Sequence, residues 1–283
     1  MNDADSIDGA TRDIRAFRKS TLTLEGAVAC FEMTDAASRN AMSPELKEDL
    51  EELVGLVGST DRIRALVITG SPGVFCAGGD LKGLTANRHP DGSPVRDVEG
   101  IRQRMTRSHQ WFERLFNLEV PVIAAVDGPA FGAGFSLALA CDYIVASPRA
   151  SFCMAFNRIG AIPDLAALYL LPRMIGLRRA KDIMMSARVV GVEEALGLGL
   201  VHSIHPAEAV RGVAMAMAHK FVQGSAQSLA LTKLYTNQSL ETDYATMARL
   251  EGVAQATCLN SDYFFEAVAR FMDRQPARFN WDA

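Results

Sequence analysis

The sequence predicts an α/β protein built from repeated strand, strand, helix units and closed by an all-helical tail. Three observations predict it. Short apolar runs bounded by glycine or proline, at 65–69 (ALVIT) and 122–126 (VIAAV), have the pattern of strands buried on both faces. Segments with apolar residues at helical spacing separate them. After Pro206 no strand pattern recurs and every segment reads as helix. Strands alternating with helices imply the α/β class. The chain therefore divides into an N-terminal arm over 1–20, a core over 21–206 and a C-terminal helical region over 207–283.

In chain order, 21–25 and 27–33 alternate in polarity around Gly26 and read as a hairpin. A loop over 35–42 leads to Ser43-Pro44, an N-cap followed by proline at the first helical position. Leu46, Leu50, Leu53, Val54 and Val57 then mark the buried face of a helix. The strand at 65–69 ends at Gly70, and a glycine-rich turn follows, Cys76-Ala77-Gly78-Gly79-Asp80. Residues 85–100 are polar, with Pro90, Gly92 and Pro94, and read as a surface loop. Ile101, Met105, Phe112, Leu115 and Phe116 mark a long helix that Pro121 ends. The strand at 122–126 runs into a second glycine-rich turn, 128–134, and a short apolar helix, 135–141. Short strands follow at 143–146 and 151–153, a helix at 177–187 and a last strand at 200–204.

The chain has 283 residues, 49% hydrophobic and 22% charged, with a net charge of −4, which suits one large globular unit. No basic patch points to nucleic acid, and no run approaches the roughly 18 apolar residues that span a bilayer. The N-terminal arm is polar and begins with acidic residues, unlike a signal or transit peptide, so a cytoplasmic protein is expected. The five cysteines include no C-x-x-C pair, and the five histidines form no H-E-x-x-H motif. No metal site and no disulfide framework are expected.

The two glycine turns carry the chemistry. Each follows a strand and lets another group approach the main chain closely. Two backbone N–H groups converging on one point would hold an anion developing on a carbonyl oxygen.

Phe75-Cys76-Ala77-Gly78-Gly79-Asp80-Leu81 after Ala65-Leu66-Val67-Ile68-Thr69-Gly70 resembles the crotonase (enoyl-CoA hydratase/isomerase) pattern "ALVLTG…F-x-A-G-x-D-L". Pro121-Val122-Ile123-Ala124-Ala125-Val126-Asp127-Gly128, then Gly132-Ala133-Gly134 and Ala140-Cys141-Asp142, resembles "KPVIAAVNG-x-x-x-GGG…CD". Arg39-Asn40-Ala41-Met42, Gly160-Ala161-Ile162-Pro163-Asp164, Leu171-Pro172-Arg173 and Gly197-Leu198-Gly199-Leu200-Val201 fit further motifs in the same order, so the resemblance runs from about residue 20 to the end. It implies a crotonase-like spiral of ββα units, a C-terminal helical region packing between subunits, and a homotrimer or dimer of trimers. It also implies an acyl-CoA thioester substrate and no separate cofactor. On this sequence the two oxyanion N–H groups fall on Gly79 and Ala133. The surrounding turn residues Ala77, Gly78, Asp80, Leu81, Gly132 and Gly134, with Ser136 and Phe156, become candidate substrate contacts, and Arg39 and Lys82 candidate contacts for CoA phosphates.

The residues depart from the hydratase pattern in one respect. Hydratases of this kind carry two glutamates that activate water; here those positions are Ser136 and Phe156. Asp164 remains, at the place where double-bond isomerases carry a single carboxylate base, with Phe156, Leu165 and Leu168 as apolar walls. Asp164 is equally well placed to cap the helix after it. Ala166-Ala167 stands where the family commonly has Gly-Gly. Double-bond isomerisation of an enoyl-CoA is therefore expected. The alternatives are a hydratase with atypical residues, a non-catalytic CoA-ester-binding protein, and a serine hydrolase using Ser136 in Gly134-Phe135-Ser136-Leu137-Ala138 with Asp164 and His202.

Overall fold

The computed structural model describes residues 13–86, 89–93 and 95–282. The elements, in order, are β1 (Asp13–Ala16), β2 (Ser20–Glu25), β3 (Val28–Met33), α1 (Pro44–Gly58), β4 (Ala65–Thr69), α2 (Leu81–Leu84), α3 (Val98–Phe116), β5 (Val122–Val126), β6 (Pro129–Phe131), α4 (Ala133–Leu139), β7 (Tyr143–Ala146), β8 (Ser151–Cys153), α5 (Ala167–Ile175), α6 (Leu177–Ser186), β9 (Val190–Gly191), α7 (Val192–Gly197), β10 (Ser203–Ile204), α8 (Val210–Val222), α9 (Ala226–Gln238), α10 (Tyr244–Leu259) and α11 (Asp262–Met272).

Among the described residues a seven-stranded sheet runs β1-β2-β3-β4-β5-β7-β10, and a three-stranded sheet runs β6-β8-β9. From β3 onward the large sheet is parallel. Successive turns of chain give one strand to the large sheet, one to the small sheet and then a helix, as in β5-β6-α4 and β7-β8-α5. The α/β class read from the sequence is the class observed.

Burial on both faces explains the continuous apolar strands. Leu66 and Ile68 of β4 face a core with α1 and α3, while Ala65 and Val67 face α8 through Ala214, Met217 and Phe221. Ser43 caps α1 by accepting from the Leu46 N–H, with Pro44 in the first turn. The carboxylate of buried Asp49 accepts hydrogen bonds from the N–H groups of Arg18 and Lys19 and the hydroxyl of Ser20, fastening the chain entering β2 to α1.

Three expectations change. The arm expected over 1–20 contains β1, which pairs antiparallel with β2 although its four residues are exposed. An edge strand is held by ladder hydrogen bonds and needs no apolar pattern; residues 1–12 lie outside the described part. The strand expected at 200–204 shrinks to β10, with Leu200 and Val201 buried in a turn. The turn at 128–134 contains β6, whose Ala130 bridges Cys76.

Candidate active site

Both glycine turns leave the carboxyl ends of parallel strands, the usual place for a site in an α/β sheet. They are pressed together. The Phe131 N–H donates to the Cys76 carbonyl at 2.9 Å, and Cys76 N–H to the Pro129 carbonyl at 3.0 Å. Gly78 adopts φ +103°, and a Cβ there would lie 2.9 Å from the Phe131 carbonyl oxygen. A Cβ on Gly134 would lie 2.5 Å from the Cys76 carbonyl oxygen. Only glycine permits these approaches. The Met42 N–H donates to the Gly78 carbonyl at 2.7 Å, so the adjacent Gly79 N–H stays outside that bridge. Ala133 opens α4, where the first N–H groups lack partners within the helix. Among the described residues no acceptor faces either the Gly79 or the Ala133 N–H. The geometry thus leaves free the two donors picked out in the sequence.

Asp164 lies across from α4. Burial pushes its carboxyl above the usual carboxylate range, with the nearby charge of Lys47, and more weakly that of His109, pulling the other way. Its buried Oδ1 has no hydrogen-bond partner among the described residues. The capping alternative does not match the structure: Ala166 is the N-cap of α5, and no side chain caps that helix. Asp164 contributes its backbone carbonyl instead, accepting from Ala167 N–H at 3.1 Å and from the Ser136 hydroxyl at 3.0 Å. The next two residues hold left-handed backbone, Leu165 at φ 46° and Ala166 at φ 57°. The second is where the family commonly has glycine, and side chains in that region carry a cost of order 1–2 kcal/mol.

The other candidates separate into two groups. Arg39, Lys82 and Leu81 are exposed, and the Ala77 N–H donates to the Arg39 carbonyl at 3.0 Å, which makes Arg39 and Ala77 neighbours. Asp80 is the N-cap of α2, its side chain accepting from the Gly83 N–H at 3.1 Å. The Phe156 ring lies over Gly132, whose Cβ position is 3.7 Å from it, so an apolar wall stands where a hydratase has its second carboxylate. Ser136 does not make the substrate contact expected of it. It is fully buried, and its hydroxyl is engaged by the carbonyls of Gly132, at 3.3 Å, and Asp164, so it faces main chain and not substrate. The hydrolase arrangement fails with it. His202 packs instead against Tyr143 and Trp281, with ring centroids 5.2 and 6.3 Å away, and Tyr143 begins β7 at the opposite strand end from the glycine turns. Leu168 is 53% exposed and is no wall of the site; Leu165 is buried.

Three residues were missed. Asn40 is buried with φ 55°, and its amide donates to the carbonyls of Val74 and Phe75, holding the segment that enters the first glycine turn. Lys47 of α1 is half-buried, and burial lowers its pKa while the Asp164 charge raises it. His109 of α3 borders, with Ala166, Phe112 and Phe116, a cleft of about 540 Å³ beside the Asp164 turn. The signal for Lys47 was legible: it shares a helix face with Leu50 and Val54, where an amphipathic helix carries apolar side chains.

Residues 23–282 match the family described as enoyl-CoA hydratase/isomerase. The chain belongs to that family. It is 31% identical over 249 residues to the mitochondrial methylglutaconyl-CoA hydratase of Mus musculus, covering 86% of this chain and 76% of that one. It is 32% identical over 240 residues to the 1,2-epoxyphenylacetyl-CoA isomerase of Escherichia coli, covering 85% and 90%. Among solved structures, an enoyl-CoA hydratase/isomerase from Cupriavidus metallidurans is 41% identical with a TM-score of 0.87, covering 94% of this chain and 97% of that one. A candidate enoyl-CoA hydratase of Thermobifida fusca, solved in complex with CoA, is 31% identical with a TM-score of 0.77, covering 85% and 93%. The protein is thus an acyl-CoA enzyme of the hydratase/isomerase type, and the crotonase-like fold expected from its motifs is the fold it has. No helix of the described residues is long and apolar enough to cross a membrane.

Proposed function

We propose that the protein isomerises the double bond of an enoyl-CoA, with Asp164 as its single acid–base group. The observation that carries this reading is the buried, unpartnered Oδ1 of Asp164 in a site whose two hydratase carboxylate positions are Ser136, turned into the main chain, and Phe156, an apolar ring. A 3-enoyl thioester would bind with its carbonyl oxygen between the N–H groups of Gly79 and Ala133. The Asp164 carboxylate takes a proton from C2. The electron pair moves onto the thioester oxygen, and the resulting dienolate is held by the two donors. The protonated Asp164 returns the proton to C4, leaving the double bond between C2 and C3. One carboxyl suffices, because no water is activated and no electron leaves the acyl chain. Each N–H of such a pair is worth about 2.7–4 kcal/mol to the transition state.

A relative named for an acyl-CoA substrate and the CoA complex of a structural neighbour support an acyl-CoA thioester as the substrate of the chain. We further read the exposed apolar side chains of α10 and α11, Tyr244, Phe265, Phe271 and Met272 among them, as a subunit contact in a homotrimer or a pair of trimers. Hydration is the second reading, favoured by relatives described as hydratases.

The test offers a 3-enoyl-CoA and a 2-enoyl-CoA separately and follows the absorbance of the conjugated thioester. Isomerisation makes the band grow from the 3-enoyl substrate in the wild type and not in Asp164→Asn. A band that falls from the 2-enoyl substrate instead would establish hydration.

A further inference from the structure

Two cationic side chains on α1 and α3 have no anionic partner among the described residues, and the charge of one of them, Lys47, acts on Asp164. Lys47 of α1 is half-buried, yet among the described residues its ammonium makes no hydrogen bond and no ion pair within 4.0 Å. Arg104 of α3 lies near enough for its charge to act on Lys47, and among the described residues it is likewise unpaired, although many other arginines of the chain are bound to carboxylates. The charged groups that Lys47 feels are Asp164, Arg104 and Asp80. Asp164 is the strongest of them, yet the two stand farther apart than an ion pair and the Asp164 Oδ1 is unpartnered. Asp80 is committed to capping α2. A partly desolvated ammonium without a counter-charge is costly, and so is placing it on the apolar face of an amphipathic helix beside Leu50 and Val54. A neutral acyl chain would leave both costs in place. An anionic group entering between α1 and α3 would offset them, and it would leave Asp164 facing the carbon next to the thioester.

We propose that Lys47, with Arg104 beside it, forms a subsite for a carboxylate at the far end of the acyl chain, so that the preferred substrates are CoA monothioesters of dicarboxylic acids. The proposal rests on the reading of this site as an acyl-CoA site. Lys47 supplies the specific charge-assisted hydrogen bond, and Arg104, nearer the surface, adds to the local positive potential.

The test measures binding, not turnover. Calorimetric affinities are taken for CoA alone, for the saturated diacid thioesters succinyl-, glutaryl- and adipyl-CoA, and for their neutral counterparts butyryl-, pentanoyl- and hexanoyl-CoA. The full-length wild type, Lys47→Met and Lys47→Arg are compared. At least one diacid thioester is expected to bind the wild type about tenfold or more tightly than its neutral counterpart. That ratio should fall to near one in Lys47→Met, which keeps most of the apolar stem, and should be largely retained in Lys47→Arg. Thioesters that bind the wild type without any diacid preference would overturn the Lys47 subsite and leave the acyl-CoA reading intact. Equal weakening of CoA, neutral and diacid ligands in Lys47→Met would overturn it too, by assigning the ammonium to the CoA phosphates. Failure of every thioester to bind would overturn both readings.

Discussion

Replacing Gly134 by alanine tests whether the close contact between the two glycine turns shapes the site. The new Cβ would sit 2.5 Å from the Cys76 carbonyl oxygen, 2.7 Å from its Cβ and 2.9 Å from its Sγ. Ordinary contact begins near 3.4 Å, so α4 must withdraw from the first turn by about an ångström. Helix propensity alone favours the alanine by about 1 kcal/mol. A net loss of stability would therefore come from the contact, and overpacking of this kind costs about 1–3 kcal/mol. The same movement carries the Ala133 N–H away from the Gly79 N–H, and misplacement by an ångström costs on the order of 100-fold in rate. Thermal melting and kcat/KM on a 3-enoyl-CoA measure the two effects. Gly55→Ala is the control, since a Cβ at that exposed position of α1 meets nothing within 4 Å and should gain up to about 1 kcal/mol. A Gly134→Ala protein that melts at or above the wild-type temperature with undiminished kcat/KM would show that this contact shapes neither the stability nor the site.

Ser136→Ala removes the hydroxyl that ties Asp164 to the second turn; stability should fall by about 1–2 kcal/mol and kcat by more than KM changes, as read from urea unfolding and steady-state kinetics. In Lys47→Met the acid limb of the kcat/KM–pH profile should move to higher pH. The base works ionised, burial already raises its pKa, and the lost cation had been holding that value down. Because the folded pKa of Asp164 lies above its unfolded value, its contribution to stability is present at low pH and is lost as pH rises through the folded value, so Asp164→Asn should gain stability relative to wild type on the alkaline side of that window. Lys233 of α9 donates to Asp142 at 2.8 Å and to the Val120 carbonyl at 3.0 Å with its side chain 9% exposed, so Lys233→Met should cost about 1–3 kcal/mol in a chemical-denaturation experiment.

The sequence made the fold class legible because buried parallel strands announce themselves as unbroken apolar runs, and β4 and β5 appear where those runs stand. It was silent on β1, which has no buried face, and on β9, whose two residues pair with β8 only because α6 and α7 bring them there. Gly79, Ala133 and Asp164 are candidates that motif order singles out. The roles of their neighbours depend on direction, which one-dimensional spacing does not encode. Ser136 lies one helical turn from Gly132, and only the fold shows that its hydroxyl points at the Asp164 carbonyl and away from any substrate. Lys47 shows the converse. Its place on the apolar face of α1 was visible in the periodicity, but its meaning needed Asp164 and α3, which the topology brings from more than fifty residues away.

The most direct test of the central claim is exchange of the C2 protons of a saturated acyl-CoA in deuterium oxide, followed by proton NMR. It asks for enolate formation alone and is indifferent to the reaction that follows. The wild type should exchange the C2 protons at a rate well above the uncatalysed one, and Asp164→Asn should reduce the rate to background while still binding the thioester. Exchange that persists in Asp164→Asn, or a wild type that binds the thioester without exchanging it, would contradict the assignment of Asp164 as the base facing an oxyanion held by Gly79 and Ala133.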